Sequence, residues 1–277
     1  MKWINKIIEI GKKIYYFIYN YMLDYRYKVP GSSGLCFAYY MILSIVPVCS
    51  LIAFLTSVFN FDTQIMLNIL TNYLTEEYAE VVVSALQPKS ISLTTLITLG
   101  ISLFVASRGF DQLHKLSRNM FPVEKEYPFL IDQAIMLLKT VLIFILILSV
   151  ISLLIVFPFF KMLFIDNTGF ISQVMFLFIM IFIVLFLLYK IIPDQSVAFM
   201  DTVKGTAIAT ILIEIIVGIL SVYFSLVDYS NVYGPLAAIV MIMFSITICA
   251  EAIYFGMYVI FECHMKRLII QLKNEES

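Results

Sequence analysis

Two carboxylates are the side chains best placed to do chemistry, because each stands alone inside a long apolar segment. Glu214 lies within residues 203–227, and Glu251 lies within residues 235–261. A carboxylate is costly to expose to lipid, so both are expected to face a bundle interior or a water-filled cavity. There they could bind a proton or a cation. The alternative is that each is protonated and joins helices through a hydrogen bond to a neighbouring hydroxyl.

The sequence contains no familiar reaction centre of the kind found in soluble enzymes. His114 and His264 lack the spacing of metal ligands, the four cysteines form no Cys-x-x-Cys pair, and there is no Gly-rich phosphate-binding loop. We therefore expect no catalytic residue, no metal and no cofactor. Hydrolysis of RNA needs carboxylates, histidines or metal ligands beside a basic groove, and no loop holds them, so nucleic acid is not an expected partner.

The apolar segments that carry the two carboxylates belong to a wider pattern. Hydrophobic residues make up 62% of the 277 residues and charged residues only 13%, which is more apolar surface than a soluble core needs. A spanning helix requires about 20 apolar residues. Six segments are of this type: 35–59, 91–107, 135–160, 170–189, 203–227 and 235–261. The predicted fold is all-α, a polytopic membrane helix bundle with six transmembrane helices, in a single domain of residues 1–277.

The first 29 residues predict a different kind of helix. Apolar side chains including Trp3, Ile7 and Ile18 share one helical face, and charged side chains including Lys6 and Lys13 share the other. Such a pattern is typical of an amphipathic helix lying in the membrane interface. We expect a helix over 1–29, ended by the Pro and Gly that follow.

The positions of Lys and Arg predict how the spans are oriented. When the N-terminus is cytoplasmic, 16 of the 18 Lys and Arg residues lie on the cytoplasmic side, with Lys89 and Lys161 as the exceptions. Both termini are therefore expected in the cytoplasm. Glu214 and Glu251 then lie ten residues from the membrane boundaries near Lys204 and Phe261, about 15 Å deep at 1.5 Å per residue.

Proline and small residues predict how the spans bend and pack. Pro47 removes a backbone donor and should bend the first span. Gly205 with Ala209, and Ala252 with Gly256, place small residues four apart on the last two spans. Because small residues let helix backbones approach, these two spans are expected to pack closely.

Short motifs in a fixed order resemble the YihY/BrkB family of membrane proteins, often mislabelled as ribonuclease BN. The motifs are Ala38-Tyr39-Tyr40-x-x-x-Ser44-x-x-Pro47, Ser107-Arg108-Gly109-Phe110 followed by Asn119, Tyr189-x-x-x-Pro193, Gly205 with Glu214, and Tyr233-Gly234-Pro235-Leu236-Ala237. The resemblance covers nearly the whole chain. One departure is that the family commonly ends its sixth span with Gly-Ala-Glu, whereas Met257 and Tyr258 follow Gly256 here.

The resemblance implies a multi-pass protein of the bacterial cytoplasmic (inner) membrane. The family's associations with envelope integrity, serum resistance and lipopolysaccharide-lipid export imply transport or flipping of a lipid or other amphiphile. Membrane lipids are thus expected partners, with a lipid or amphiphile as substrate, and a homo-oligomer is left open. Besides the two carboxylates, the candidate cavity or motif residues are Tyr40, Ser44, Pro47, Arg108, Asn119, Pro193, Gly205, Tyr233 and Gly234.

Two other functions stay open. A non-catalytic scaffold for envelope machinery predicts that the carboxylates are dispensable and that the small-residue faces matter. A lipid-modifying enzyme would need a polar cluster near one membrane interface, and the sequence does not identify one. Arg108, at the end of the second predicted span, could bind a lipid phosphate, although an arginine there ordinarily reaches towards the interface without binding a ligand.

Overall fold

The computed structural model describes residues 2–44, 93–121, 128–164, 170–227 and 236–275, and nearly all of them are helical. The helices are α1 (Lys2–Lys28), α2 (Ser33–Leu43), α3 (Leu93–Met120), α4 (Phe129–Phe164), α5 (Phe170–Ile191), α6 (Phe199–Leu226) and α7 (Ala237–Glu275). No strand occurs within the described ranges. The predicted all-helical fold is therefore confirmed.

Among the residues that the structure describes, three helices are long and apolar enough to cross a membrane. The segments are Phe129–Leu146 in α4, Phe199–Leu226 in α6 and Ile239–Asn274 in α7. They overlap three of the six predicted spans, and α2 and α5 add the shorter apolar stretches Ser33–Leu43 and Leu177–Ile191. The described part of the chain is thus that of a membrane protein. Most of the predicted first span, from residue 45 onwards, lies outside the described residues.

The closest helix contact joins α6 and α7, which run antiparallel. A Cβ atom on Gly256 would lie 2.5 Å from the Tyr189 hydroxyl and 2.6 Å from Ala209 Cβ, and one on Gly205 would lie 2.6 Å from the Gly256 carbonyl oxygen. Only hydrogen fits at either position, so the backbones touch. The close packing predicted from the small residues is confirmed. The Tyr189 hydroxyl donates to the Ile253 carbonyl at 2.6 Å, which attaches the end of α5 to the same crossing.

Charged side chains gather at one end of the bundle, which we call the charged end. It contains Arg118 near the end of α3, Asp132 at the start of α4, Asp194 between α5 and α6, Asp201 in the first turn of α6, and Arg267 late in α7. Ion pairs join them across helices, with the shortest N–O distances between 2.7 and 2.8 Å. Five elements therefore meet at the charged end.

The N-terminal helix forms as predicted, and its last turns pack on α7. Tyr25 is 3% exposed and Val29 is fully buried, and the ring of Tyr25 contacts the rings of Phe255 and Tyr258. The hydroxyl of Tyr258 donates to Asp24 Oδ2 at 2.7 Å. Further towards the N-terminus the aromatic residues Tyr15, Tyr16 and Tyr19 are exposed. The end of α1 is thus part of the core, whereas no other described part of the chain covers the aromatic residues in its middle.

Candidate functional site

Glu251, one of the two predicted carboxylates, is tied to the end of α1. Its Oε2 atom accepts a hydrogen bond from the Tyr25 hydroxyl at 3.0 Å and lies 3.1 Å from Arg26 Nη1. Burial, and then the neighbouring carboxylate, raise the pKa of Tyr25, so the phenol stays protonated and remains a donor. The Glu251 side chain is 26% exposed and that of Arg26 is 53% exposed. Glu251 is therefore an ion-paired group rather than an isolated one.

Glu251 also lies against the first turn of α2. A Cβ atom on Gly34 would lie 3.2 Å from Glu251 Oε1 and 2.9 Å from the Thr247 carbonyl oxygen. The absence of a side chain at Gly34 lets α2 pass close to this face of α7. The carboxylate therefore lies where α2 begins, at the junction of α1, α2 and α7.

Glu214 has a different environment. Its Oε1 atom is enclosed by protein and has no hydrogen-bond partner among the residues that the structure describes. An enclosed polar atom without a partner costs free energy, which a bound proton, cation or ligand group would relieve. Of the two predicted carboxylates, Glu214 is thus the one with an oxygen atom for which the described residues provide no donor.

A row of threonines leads along α6 to Glu214. Thr202, Thr206 and Thr210 follow one another at intervals of four residues and are fully buried, and Glu214 is the next member of the same row. Each threonine hydroxyl donates to the carbonyl oxygen four residues earlier, at 3.2, 2.7 and 2.9 Å. The hydroxyl oxygens can still accept a hydrogen bond. The row connects the charged end with Glu214 over about 20 Å of helix.

The two carboxylates lie at similar heights but face different neighbours. Because Gly205 and Ala209 face Gly256 across the antiparallel contact, Glu214 on α6 lies roughly level with Glu251 on α7. Glu251 points to α1 and α2, whereas no hydrogen bond or ion pair joins the two carboxylates within the described ranges.

The charged end contains a network that sequence reasoning missed. Asp194 Oδ1 lies 2.8 Å from Lys139 Nζ, and Asp194 Oδ2 accepts a hydrogen bond from Arg118 Nε at 2.8 Å. Arg118 also donates to Asp132 Oδ1 at 2.7 Å, and Lys139 donates to the Ile192 carbonyl at 2.9 Å. These bonds hold the α5–α6 linker against α3 and α4.

His114 is the buried member of this network, 1% exposed. Its Nδ1 atom lies 2.9 Å from the Ile192 carbonyl oxygen, so we assign the proton of the neutral ring to Nδ1, and Nε2 lies 3.3 Å from Asp194 Oδ2 without hydrogen-bond geometry. Burial, assisted by nearby Lys139, lowers the pKa of His114. Burial alone would raise the pKa of Asp194, but hydrogen bonds from Lys139 and Arg118 outweigh it and hold that pKa below its usual value. At neutral pH the ring is uncharged and Asp194 is ionised.

The structure brings some motif residues of the resemblance together. Tyr40 on α2 faces Gly109 on α3, where an added Cβ atom would lie 3.1 Å from Tyr40 Cβ. Ser44 is buried and donates to the Tyr40 carbonyl at 2.7 Å. Gly205 lies in the α6–α7 contact. These residues lie where helices pack against one another.

The other motif residues lie nearer the charged end. Arg108 has its guanidinium 4.8 Å from the centre of the Phe104 ring and 3.8 Å from Asp111, so it touches its own helix. Asn119 is exposed, and Pro193 precedes Asp194 in the network. The predicted residues Pro47, Tyr233 and Gly234 lie outside the described residues.

One of the two features that sequence reasoning missed had a usable signal in the sequence. The four-residue spacing of Thr202, Thr206, Thr210 and Glu214 is readable directly, whereas the partners of Asp194 come from separate helices and have no common spacing. Within the described ranges, no group of three or more His, Cys, Asp or Glu side chains could hold a metal ion.

These features define a class: an all-helical integral membrane protein with a charged network at one end and a carboxylate enclosed in a spanning helix. The family described as virulence factor BrkB matches residues 32–275, which include α2 to α7. The chain therefore belongs to the BrkB family. No curated protein and no solved structure matches the chain. Helix α1, which supplies the partners of Glu251, precedes the matched residues.

Proposed function

We propose that this chain is a multi-pass protein of the bacterial cytoplasmic membrane that moves or flips a lipid or other amphiphile. Six spans carry it across the bilayer, both termini are cytoplasmic, and the charged end faces the cytoplasm. The excess of Lys and Arg on that side supports the orientation. The associations of the BrkB family with the cell envelope support the substrate class.

One observation carries the proposal: the enclosed Oε1 atom of Glu214 has no hydrogen-bond partner in the described part of the chain. Ionisable groups inside a membrane generally mark substrate or ion pathways, because they are costly to hold in apolar surroundings. The row of buried threonines between Glu214 and the charged end offers acceptor oxygens along one helix. Glu214 is proposed to take up and release a proton or cation as the amphiphile moves.

The test is a flipping assay with the purified protein in lipid vesicles. A fluorescent phospholipid is incorporated into both leaflets, and the fraction quenched from outside is followed with time. Glu214→Gln should slow the protein-dependent rate at least about tenfold, as expected when a group essential to a cycle is removed. Glu9→Gln is the matched control, because Glu9 is an exposed carboxylate of α1 that pairs only with Lys13 at 3.5 Å. Equal rates in wild type and Glu214→Gln would reject the proposed role.

A scaffold function is the second candidate, and one observation favours it. The hydrogen bond and ion pair of Glu251 with Tyr25 and Arg26 are those of a structural joint. A scaffold would give vesicles no flipping activity in any variant. It would also lose binding of its partners when the α6–α7 contact is disturbed.

We further propose that the chain is not an enzyme. The charged end does supply a polar cluster of the kind that a lipid-modifying enzyme would require. Its groups are engaged with one another: Lys139 and Arg118 with Asp194, and His114 with the Ile192 carbonyl. Such mutual pairing supports a role in holding helix ends together.

A further inference from the structure

A cleft opens at the charged end between the first turns of α6 and the late turns of α7. Its volume is about 320 Å³, and its lining includes Asp201, Lys204, Cys263, Lys266, Arg267 and Ile270. The α7 residues are spaced at three and four, so they form one helical face directed at α6. The cleft is distinct from the Asp194 network and from the surroundings of Glu214.

The cleft carries excess positive charge. Arg267 Nη2 lies 2.7 Å from Asp201 Oδ1, so these two charges compensate each other. Lys266 is 70% exposed and reaches only Glu262, at 3.5 Å. Lys204 is exposed and forms no ion pair with any residue in the described ranges. The Lys204 ammonium group is therefore available to an anion, and Lys266 can share its charge between Glu262 and an anion. The N-terminus of α6 adds a favourable dipole, although the buried Oδ2 atom of Asp201 in the lining has no hydrogen-bond partner among the described residues and would repel an anion placed beside it.

The same face of α6 continues from Lys204 as an apolar stripe. Ile208, Ile211 and Ile215 follow Lys204 at intervals of four, three and four residues, and they are 37%, 48% and 53% exposed. Ile270, on the α7 side of the cleft, is 59% exposed. A cation at the head of an exposed apolar stripe matches an amphiphile with an anionic head and an acyl chain.

We propose that the cleft binds the phosphate of an anionic phospholipid. Lys204 and Lys266 contact the phosphate oxygens, and one acyl chain lies along Ile208, Ile211 and Ile215. Arg267, held by Asp201, forms the wall behind the phosphate. A resident lipid could occupy the cleft in a transporter and in a scaffold alike, so this site stands independently of the proposed flipping.

The stripe distinguishes a lipid from a soluble phosphate compound. Water-soluble phosphates gain nothing from exposed isoleucines, whereas an acyl chain in the bilayer packs against them through van der Waals contacts. Lysine near a membrane surface is also attracted to anionic lipid, by a factor of about five in affinity for each residue. Both contributions point to the same ligand class.

The experiment is native mass spectrometry of the detergent-solubilised full chain titrated with dioleoyl phosphatidylglycerol. The test variant is Lys204→Met with Lys266→Met, which removes both charges and keeps the side-chain length. The matched control is Lys12→Met with Lys273→Met, because these lysines are exposed and lie outside the cleft lining. We expect wild type and control to retain the lipid, and the test variant to bind it about thirtyfold more weakly.

Two further ligands decide what the site recognises. Dioleoylglycerol, which lacks phosphate, should bind weakly and equally to all three proteins, and glycerol 3-phosphate, which lacks acyl chains, should not be retained. The proposal is overturned if the test variant binds phosphatidylglycerol as tightly as wild type, or if the control loses as much affinity. Retention of glycerol 3-phosphate to the same extent as the lipid would make the cleft a soluble-phosphate site instead.

Discussion

Glu251 and Glu214 occupy similar heights on neighbouring helices, yet they differ in the hydrogen-bond and ion-pair partners that the rest of the chain provides. Glu251 has a phenol hydroxyl 3.0 Å away and a guanidinium 3.1 Å away, both supplied by α1. Glu214 has an enclosed oxygen for which the described residues provide no donor. An acidic residue in an apolar segment is therefore not a functional marker by itself. What distinguishes the two is whether another part of the chain supplies a partner.

Asp194 extends the comparison to the most heavily paired carboxylate, and its removal should have the largest effect. Asp194→Asn leaves Lys139 and Arg118 without the carboxylate that joins them, and their side chains are only 15% and 26% exposed. We expect the free energy of unfolding, measured by SDS titration in mixed micelles, to fall by about 3 kcal/mol. Asp111→Asn, which removes pairs with Lys115 and Arg108 on the same helix, should cost only about 0.5 kcal/mol. Equal losses of unfolding free energy in the two variants would show that the Asp194 network contributes no more to stability than an ion pair within one helix.

Substitutions at two glycines compare the packing around Glu251 with that of α6 beyond Glu214. We expect close packing at the first place and free space at the second. A Cβ atom on Gly34 would lie 2.9 Å from the Thr247 carbonyl oxygen and 3.2 Å from Glu251 Oε1, whereas one on Gly218 meets no atom within 4 Å. Gly34→Ala should lower the free energy of unfolding by about 2 kcal/mol. Gly218→Ala should raise it by about 0.5 kcal/mol, since alanine favours helix. The comparison fails if both substitutions stabilise the protein.

The carboxylates themselves give a smaller but direct contrast. Glu251→Gln removes a partly exposed ion pair with Arg26 and should cost about 1 kcal/mol in the free energy of unfolding. Glu214→Gln removes no pair found in the described part of the chain, so the change should stay within about 0.5 kcal/mol. Flipping should show the reverse order, with Glu214→Gln the more impaired. A larger stability loss for Glu214→Gln would mean that Glu214 is the structural residue.

Lowering the pH should decrease the free energy of unfolding slightly, because His114 at the charged end becomes protonated more readily in the unfolded chain. The pKa of His114 lies below its ordinary value of 6.5, so the folded chain favours the neutral ring. The stabilisation is complete above about pH 6.5 and is lost as the pH falls, because the unfolded chain then binds the proton more readily. Between pH 7.5 and 5.5 we therefore expect the free energy of unfolding of wild type to fall. His114→Gln should remove this part of the pH dependence of the free energy of unfolding. The same pH dependence in the variant as in wild type would contradict the role assigned to His114.

Several features of the fold were predictable because they depend on neighbours along the chain. The apolar runs that become α4, α6 and α7 and the amphipathic pattern of α1 are local. So is the spacing of Gly205 and Ala209, and of Ala252 and Gly256, which predicted the contact later found between α6 and α7. Helix formation and small-residue packing follow from side-chain size and polarity at fixed intervals, so the sequence is sufficient for them.

The pairing of the charged groups was not predictable in this way. Tyr25 and Glu251 are separated by 226 positions, and Arg118 and Asp194 by 76. The position of one residue of each pair in the sequence does not indicate which residue is its partner. Asp194 follows Pro193 in the sequence, and it becomes the centre of a network only where the α5–α6 linker meets α3 and α4.

The sequence by itself determined a helical membrane protein, the close approach of its last two helices and the two acidic residues that apolar segments isolate. Only the tertiary structure decided that Glu251 is satisfied by α1, that Glu214 is enclosed without a described partner, and that Lys204 and Lys266 flank one cleft. The physical reason is that hydrophobic segregation is a sum over neighbouring residues. A hydrogen bond or ion pair instead requires two particular atoms within about 3 Å, and only the packing of distant helices brings them there.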